Sequence, residues 1–148
     1  MRGDRGFTLI ELLIVVAIIG IIAAMAIPNL MNAIDKGKQK RTMADLRTLG
    51  SAVEMYAVEN NTYPRVASYG GLQPLIQPTY IRTTSASDGW NHPWIFQGDT
   101  TNGIDYTLIS YGKDGIVSAS TGGQTGDFDC DIIFANGQFF QWPSGSQN

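Results

Sequence analysis

The chain has 148 residues, a net charge of −3 and one cysteine, a size that suits one modest domain and leaves no room for several large ones. Its acidic balance, with no broad face of clustered Lys and Arg, excludes a general nucleic-acid surface, because such a surface needs cations to displace the counterions of phosphate. With Cys130 alone, no intrachain disulfide can form, so a soluble part working in an oxidising compartment needs another fastening.

The chain opens with a short basic leader, residues 1–6, which runs directly into an apolar stretch from Phe7 to Ile27 whose only charge is Glu11. As a helix that stretch spans roughly 31 Å, the thickness of a bilayer's hydrocarbon core. A cleaved secretory signal is the competing reading, and Ala23, Ala24 and Ala26 offer a weak small-residue cleavage pattern for it. Arg2 and Arg5 hold the leading end in the cytoplasm by the positive-inside tendency, so the rest of the chain faces outward. The basic run Lys36, Lys38, Lys40 and Arg41 follows the apolar stretch; it reads as a solvated helix face, with lipid headgroups or a neighbouring subunit as alternatives.

The run Gly6-Phe7-Thr8-Leu9-Ile10-Glu11-Leu12-Leu13-Ile14-Val15-Val16-Ala17-Ile18-Ile19-Gly20, with Pro28 following, resembles the amino-terminal signature of type IV pilins and of the pseudopilins of type II secretion. The resemblance implies that a prepilin peptidase and methyltransferase cuts between Gly6 and Phe7 and methylates the Phe7 amine. It also implies that Glu11 pairs with the Phe7 amine of a neighbouring subunit during assembly. An ionisable group in an apolar span is unfavourable by about 2.5–3.5 kcal/mol near the bilayer centre, so some compensating partner is needed. Pro28 removes a helical hydrogen bond and predicts a kink there.

From Asn29 to about Glu59, Leu30, Ile34, Met43, Leu46, Leu49, Val53 and Tyr56 recur at three- and four-residue spacing, which predicts an amphipathic helix continuing the first. The run from Phe7 to Glu59 is expected to form one kinked rod of about 80 Å. Asn60-Asn61-Thr62-Tyr63-Pro64 ends it. Leu72, Leu75 and Ile76 predict a short helix or turn. Strands are expected at Trp94–Phe96, Tyr106–Ser110, Asp131–Ala135 and Gln138–Trp142, the last two joined by an Asn136-Gly137 hairpin turn. The fold class is therefore α+β: a long helix packed against a small antiparallel sheet with extended loops.

Four further runs, Glu59–Pro64, Asp88–Trp94, Tyr106–Gly115 and Asp129–Ile132, extend the resemblance over most of the chain and make it closest to the major pseudopilins of type II secretion. The chain departs from that pattern in a longer Gly123–Asp129 loop and in an added strand at Gln138–Trp142. Asp114, Asp127, Asp129 and Asp131 lie on Gly-rich loops and are of the residue type calcium takes, although turn-forming aspartates have the same composition. Asp127-Phe128-Asp129-Cys130-Asp131 is no EF-hand, since Ile132 stands at the sixth position and Gln138 at the twelfth. The resemblance implies calcium at these loops.

No catalytic set is visible. His92, the only histidine, sits in a turn-like run, Cys130 has no basic partner nearby, and Trp90 and Trp94 read as packing residues. The resemblance implies three parts: leader 1–6, a transmembrane and assembly helix 7–28, and a periplasmic pilin-like domain 29–148 that includes the outer half of the helix. It further implies a single-pass inner-membrane protein that polymerises into a helical filament with minor pseudopilins on an inner-membrane assembly platform, driving protein export. A surface type IV pilin for adhesion, motility or DNA uptake is the alternative, and a membrane-anchored enzyme is less well supported.

Overall fold

The computed structural model describes residues 6–144, so the leader up to Arg5 lies outside the described residues. The chain forms two compact units, one ending at Ile34 and the other beginning at Asp35. Helix α1, Leu9–Asn60, passes from the first into the second.

In the first unit α1 has no tertiary partner among the described residues. The large apolar side chains from Phe7 to Ile34 are all exposed, and the helix is long and apolar enough to cross a membrane. Helical geometry continues through Pro28. The next side chain, Asn29 Nδ2, donates to the Met25 carbonyl at 3.1 Å.

In the second unit α1 buries Asp35, Gln39, Thr42, Leu46, Leu49 and Val53 along one face. Their alternating four- and three-residue spacing is that of a straight helical seam. This seam corrects the expected stripe at its start. Leu30 and Ile34 are exposed, and three polar residues open the buried face because loops, not an apolar core, lie against them. The helix ends at Asn60, and Asn61 takes a positive φ of 58°.

Helix α2, Tyr69–Ile76, is capped by Ser68, whose side chain accepts from Gly71 N. It buries Leu72 and Ile76. The sheet comprises β1 (Ile95–Gly98), β2 (Tyr106–Ser110), β3 (Gly123–Thr125), β4 (Ile132–Ala135) and β5 (Gln138–Pro143), in the order β1-β2-β4-β5-β3. Four strands form an antiparallel array, with Leu108 opposite both Phe96 and Phe134. Strand β3 pairs parallel with β5, so the sheet is mixed and not purely antiparallel as expected. The Gly-rich β3 has no apolar alternation to announce it, since its three residues are all at least partly exposed.

The core lies between α1, α2 and one sheet face. Leu46, Leu49, Ala52 and Val53 of α1 meet Leu72 and Ile76 of α2 and Trp94, Phe96, Tyr106, Leu108, Ile132 and Phe134 of the sheet side. Gly50 is placed where a Cβ would fall inside the Phe134 ring, so the helix and sheet approach at that residue depends on its missing side chain. Asn136 and Gly137 both have positive φ, 48° and 83°, as the expected type I′ turn between β4 and β5 requires.

Candidate functional site

Two regions carry the chemistry expected from the sequence: the start of α1 and the acidic loops at one end of the sheet. Gly6 and Phe7 precede the helix and are exposed. Thr8 caps it. The Glu11 carboxylate accepts from Thr8 N at 2.9 Å and from Thr8 Oγ1 at 2.7 Å, while Glu11 N donates back to Thr8 Oγ1 at 3.3 Å. This is a capping box, in which the residue before the helix and the third residue inside it satisfy each other's polar groups. The Thr8-Leu9-Ile10-Glu11 spacing, a Thr followed three residues later by Glu, is its sequence signature. Within one subunit the carboxylate is thus held beside the amino terminus of α1, where the helix dipole favours it.

The acidic loops are assembled by a network that begins on α1. The Asp35 carboxylate accepts from Lys113 Nζ at 2.9 Å through Oδ2 and from Trp90 Nε1 at 3.3 Å through Oδ1. Burial alone would raise the Asp35 carboxyl, but the Lys113 and Trp90 bonds and the Lys113 charge outweigh it and hold it below the usual carboxylate range. Lys113 is in turn held above its ordinary value, first by Asp35 and further by the charges of Asp129 and Asp127.

The loop 88–94 braces the same place. Asp88 is buried and accepts from Trp90 N, His92 N and Ser110 Oγ. His92 Nδ1 lies 2.9 Å from the Gly112 carbonyl, and Gly89 N donates to Thr42 Oγ1 on α1 at 2.9 Å. His92, expected as a surface turn residue, is half-buried under the 112–115 turn. The sequence assigns no role to Asp35, Asp88, Lys113 or Ser118, since partners 13 to 78 residues apart leave no local pattern.

The four candidate metal aspartates are separated by this framework. Asp114 is exposed and turns back to accept from Ile116 N at 3.0 Å. Asp127 and Asp129 are exposed on a turn, Asp129 N donating to Asp127 Oδ1 at 3.3 Å, and so stand apart from Asp131. Asp131 alone is buried, with both carboxylate oxygens accepting from Ser118 N at 3.1 and 3.2 Å. Burial pushes its carboxyl up against the bonds from Ser118, and the like charge of Asp114 adds to the rise, so these two carboxylates are within electrostatic reach of each other.

Among the described residues no three acidic, His or Cys side chains converge as a ready ligand set. The main chain supplies further oxygens. The carbonyls of Phe128, Asp129 and Cys130 crowd onto Gly112, within 2.8–2.9 Å of where a Cβ would stand. Lys113 N donates to the Phe128 carbonyl at 2.9 Å, joining the two loops. The donors that Asp114, Asp131 and the carbonyls of these turns offer are all oxygens, the type a hard cation such as calcium takes in preference to a transition metal, but among the described residues they do not converge on one point. Cys130 is half-buried and its thiol is raised, chiefly by burial and then by the Asp127 charge, which is the opposite of activation.

Similarity to known proteins falls on both regions. Residues 1–27 match the prokaryotic N-terminal methylation motif, and residues 29–131 match the family described as Type II secretion system (T2SS), protein G. A type II secretion system core protein G of Klebsiella michiganensis is 34% identical over 84% of this chain and 87% of its own length. The protein of the same description from Escherichia coli K12 is 33% identical over 76% and 83%, and that from Pseudomonas aeruginosa is 32% identical over 86% and 94%. The crystal structure of the major pseudopilin from the type 2 secretion system of enterohaemorrhagic Escherichia coli aligns with a TM-score of 0.47 at 28% identity, covering 72% of this chain and 93% of that one. With the methylation motif on the apolar helix start and the protein G match across the domain, the chain belongs to the type II secretion system core protein G family, a family of structural pseudopilin subunits and not of enzymes.

Proposed function

We propose that this chain is the main repeating subunit of a type II secretion pseudopilus, held by its apolar helix in the inner membrane until assembly and then built into a periplasmic filament that drives protein export. The observation that carries this reading is the exposed apolar helix from Phe7 to Ile34, an area monomeric soluble proteins rarely leave uncovered. Lipid covers it before assembly, and the helices of neighbouring subunits cover it afterwards. Assembly of identical copies through a heterologous contact gives an open helical filament.

In this mechanism a peptidase removes residues 1–6 and leaves a methylated amine on Phe7. Glu11 then exchanges its Thr8 bonds for the Phe7 amine of the neighbouring subunit. Two unit charges about 4 Å apart attract by about 4 kcal/mol at an effective dielectric near 20, enough to set register in an apolar core. Minor pseudopilins and an inner-membrane assembly platform are the other partners of this reading.

Calcium, when bound, would supply positive charge to the buried end of the sheet. Asp114 and Asp131 would hold it, with Asp127, Asp129 and main-chain oxygens of the neighbouring turns as the further donors. The ion would remove the repulsion between Asp114 and Asp131 and fasten two loops that no disulfide joins.

The test is mass spectrometry of the membrane-extracted protein from cells that contain the peptidase. The expected amino terminus is a singly methylated Phe7; a chain still beginning at Met1 or Arg2 would refute the reading.

A further inference from the structure

We infer that Lys36, Lys38, Lys40 and Arg41 form a cationic collar that docks on the phosphate headgroups of an acidic lipid leaflet on the outward side of the membrane, fixing the depth at which the subunit waits before assembly. The inference rests on the membrane-anchored part of the proposed function and not on the filament.

Position along the chain is the first argument. The last exposed large apolar side chains of the opening segment are Leu30, Met31 and Ile34, and the first cation is two residues further on. With Phe7 to Ile27 filling the hydrocarbon core, Lys36 stands on the order of 13 Å beyond its outer edge at 1.5 Å per residue. The collar therefore faces the phosphates from the water side, and Lys and Arg have stems long enough to reach back to them.

The second argument is the arrangement around the helix. At about 3.6 residues per turn, Lys36 and Lys40 share one side of α1 while Lys38 and Arg41 share the other. They flank the buried stripe of Asp35, Gln39 and Thr42. Lys38, Lys40 and Arg41 are exposed and Lys36 is half-buried. The charges thus surround every side of the helix that the domain does not cover.

Third, little of their charge is spent within the subunit, although Lys38 adds to the field that holds Asp35 ionised. Asp35, the only carboxylate in this part of the helix, is taken by Lys113. Arg41 has a loose 3.6 Å contact with Asp45, and Lys36, Lys38 and Lys40 have no ion pair among the described residues. Four cations on the outward side also oppose the positive-inside tendency set by Arg2 and Arg5, so they serve something other than orientation. Anionic headgroups are the ligand whose charge and place both match, each nearby cation contributing about a fivefold preference for an acidic surface.

The test uses the full chain carrying Gly37→Cys and Cys130→Ser, labelled with a fluorophore at residue 37, where added atoms meet open space. It is reconstituted, dilute enough to keep copies apart, in phosphatidylcholine vesicles with or without about 30 mol % phosphatidylglycerol, and quenching by a headgroup nitroxide is read. Phosphatidylglycerol should raise quenching about twofold or more, and moving from about 0.02 M to about 0.5 M salt should abolish the gain. Replacing all four cations by Gln should abolish it too. Equal quenching in both vesicles overturns the proposal, and so does carbodiimide cross-linking of these lysines to carboxylates of a second copy without dependence on phosphatidylglycerol. The salt comparison on the unsubstituted collar decides the matter even if the fourfold variant misfolds. Filament growth is not read, so failure of the filament reading and failure of the collar are separate results.

Discussion

Within one subunit Thr8 satisfies the Glu11 carboxylate through the capping box; in the proposed filament the Phe7 amine of a neighbour would take its place. Replacing Glu11 by Ala should leave membrane insertion and leader removal intact, because helix formation in lipid does not depend on one cap, and should strongly reduce polymerisation. Pulse-labelling followed by fractionation of sheared filaments measures both, and normal filament yield from the variant would count against the docking role. Asp35 allows a sharper single-residue test. Its folded carboxyl is depressed by Lys113 and Trp90 against the effect of burial, so its stabilisation is complete above the unfolded value near about 3.9 and is lost as pH falls through the folded value. Asp35→Asn should destabilise a fragment beginning at Asn29 by about 1–2 kcal/mol at neutral pH, a modest figure because Lys113 is half-exposed. In urea titrations the difference from the parent chain should shrink towards zero as pH drops below that window.

At the scale of elements, α1 and the sheet are fitted to each other at Gly50. Alanine there gains up to about 1 kcal/mol of helix propensity but drives a methyl into Phe134, and overpacking of a filled core is unfavourable by about 1–3 kcal/mol. Gly50→Ala should therefore lower the thermal midpoint, and adding Phe134→Leu should recover part of the loss; an unchanged midpoint would show that the Phe134 ring moves freely. Which elements were legible in the sequence follows from the range of the forces that make them. The apolar opening helix, the Asn60–Pro64 stop, β2, β4, β5 and the Asn136-Gly137 turn are written in local periodicity or turn chemistry, and all stand in the structure. The parallel edge strand β3 was not legible, because three Gly-rich residues become a strand only through pairing with β5. The polar opening of the buried face at Asp35, Gln39 and Thr42 was also hidden, since those residues are buried by loops distant in sequence. For the candidate site, the aspartates were legible as residue types but their relative placement was not, since a turn at 127–130 leaves Asp131 inward and Asp127 and Asp129 outside.

The whole molecule combines an apolar helix that needs a covering with a domain whose acidic loops are braced from α1, the 88–94 loop and the 127–131 turn. If calcium is held at Asp114 and Asp131, it should stabilise the domain by mass action, by about 2.7 kcal/mol at a hundredfold excess over its dissociation constant. Chelation should then lower the melting temperature of the Asn29 fragment, and Asp114→Ala should abolish the response while the long helix remains visible by circular dichroism. A melting temperature indifferent to calcium would make these aspartates ordinary turn residues. The central claim is that copies of this chain polymerise through the exposed helix, and electron cryomicroscopy of filaments from cells expressing it with its secretion genes tests that most directly. The account predicts filaments whose core is the Phe7–Ile34 helix, with each Glu11 beside the Phe7 amine of a neighbour. Processed protein that stays in the membrane without forming filaments, or filaments whose core is built from other surfaces, would contradict it.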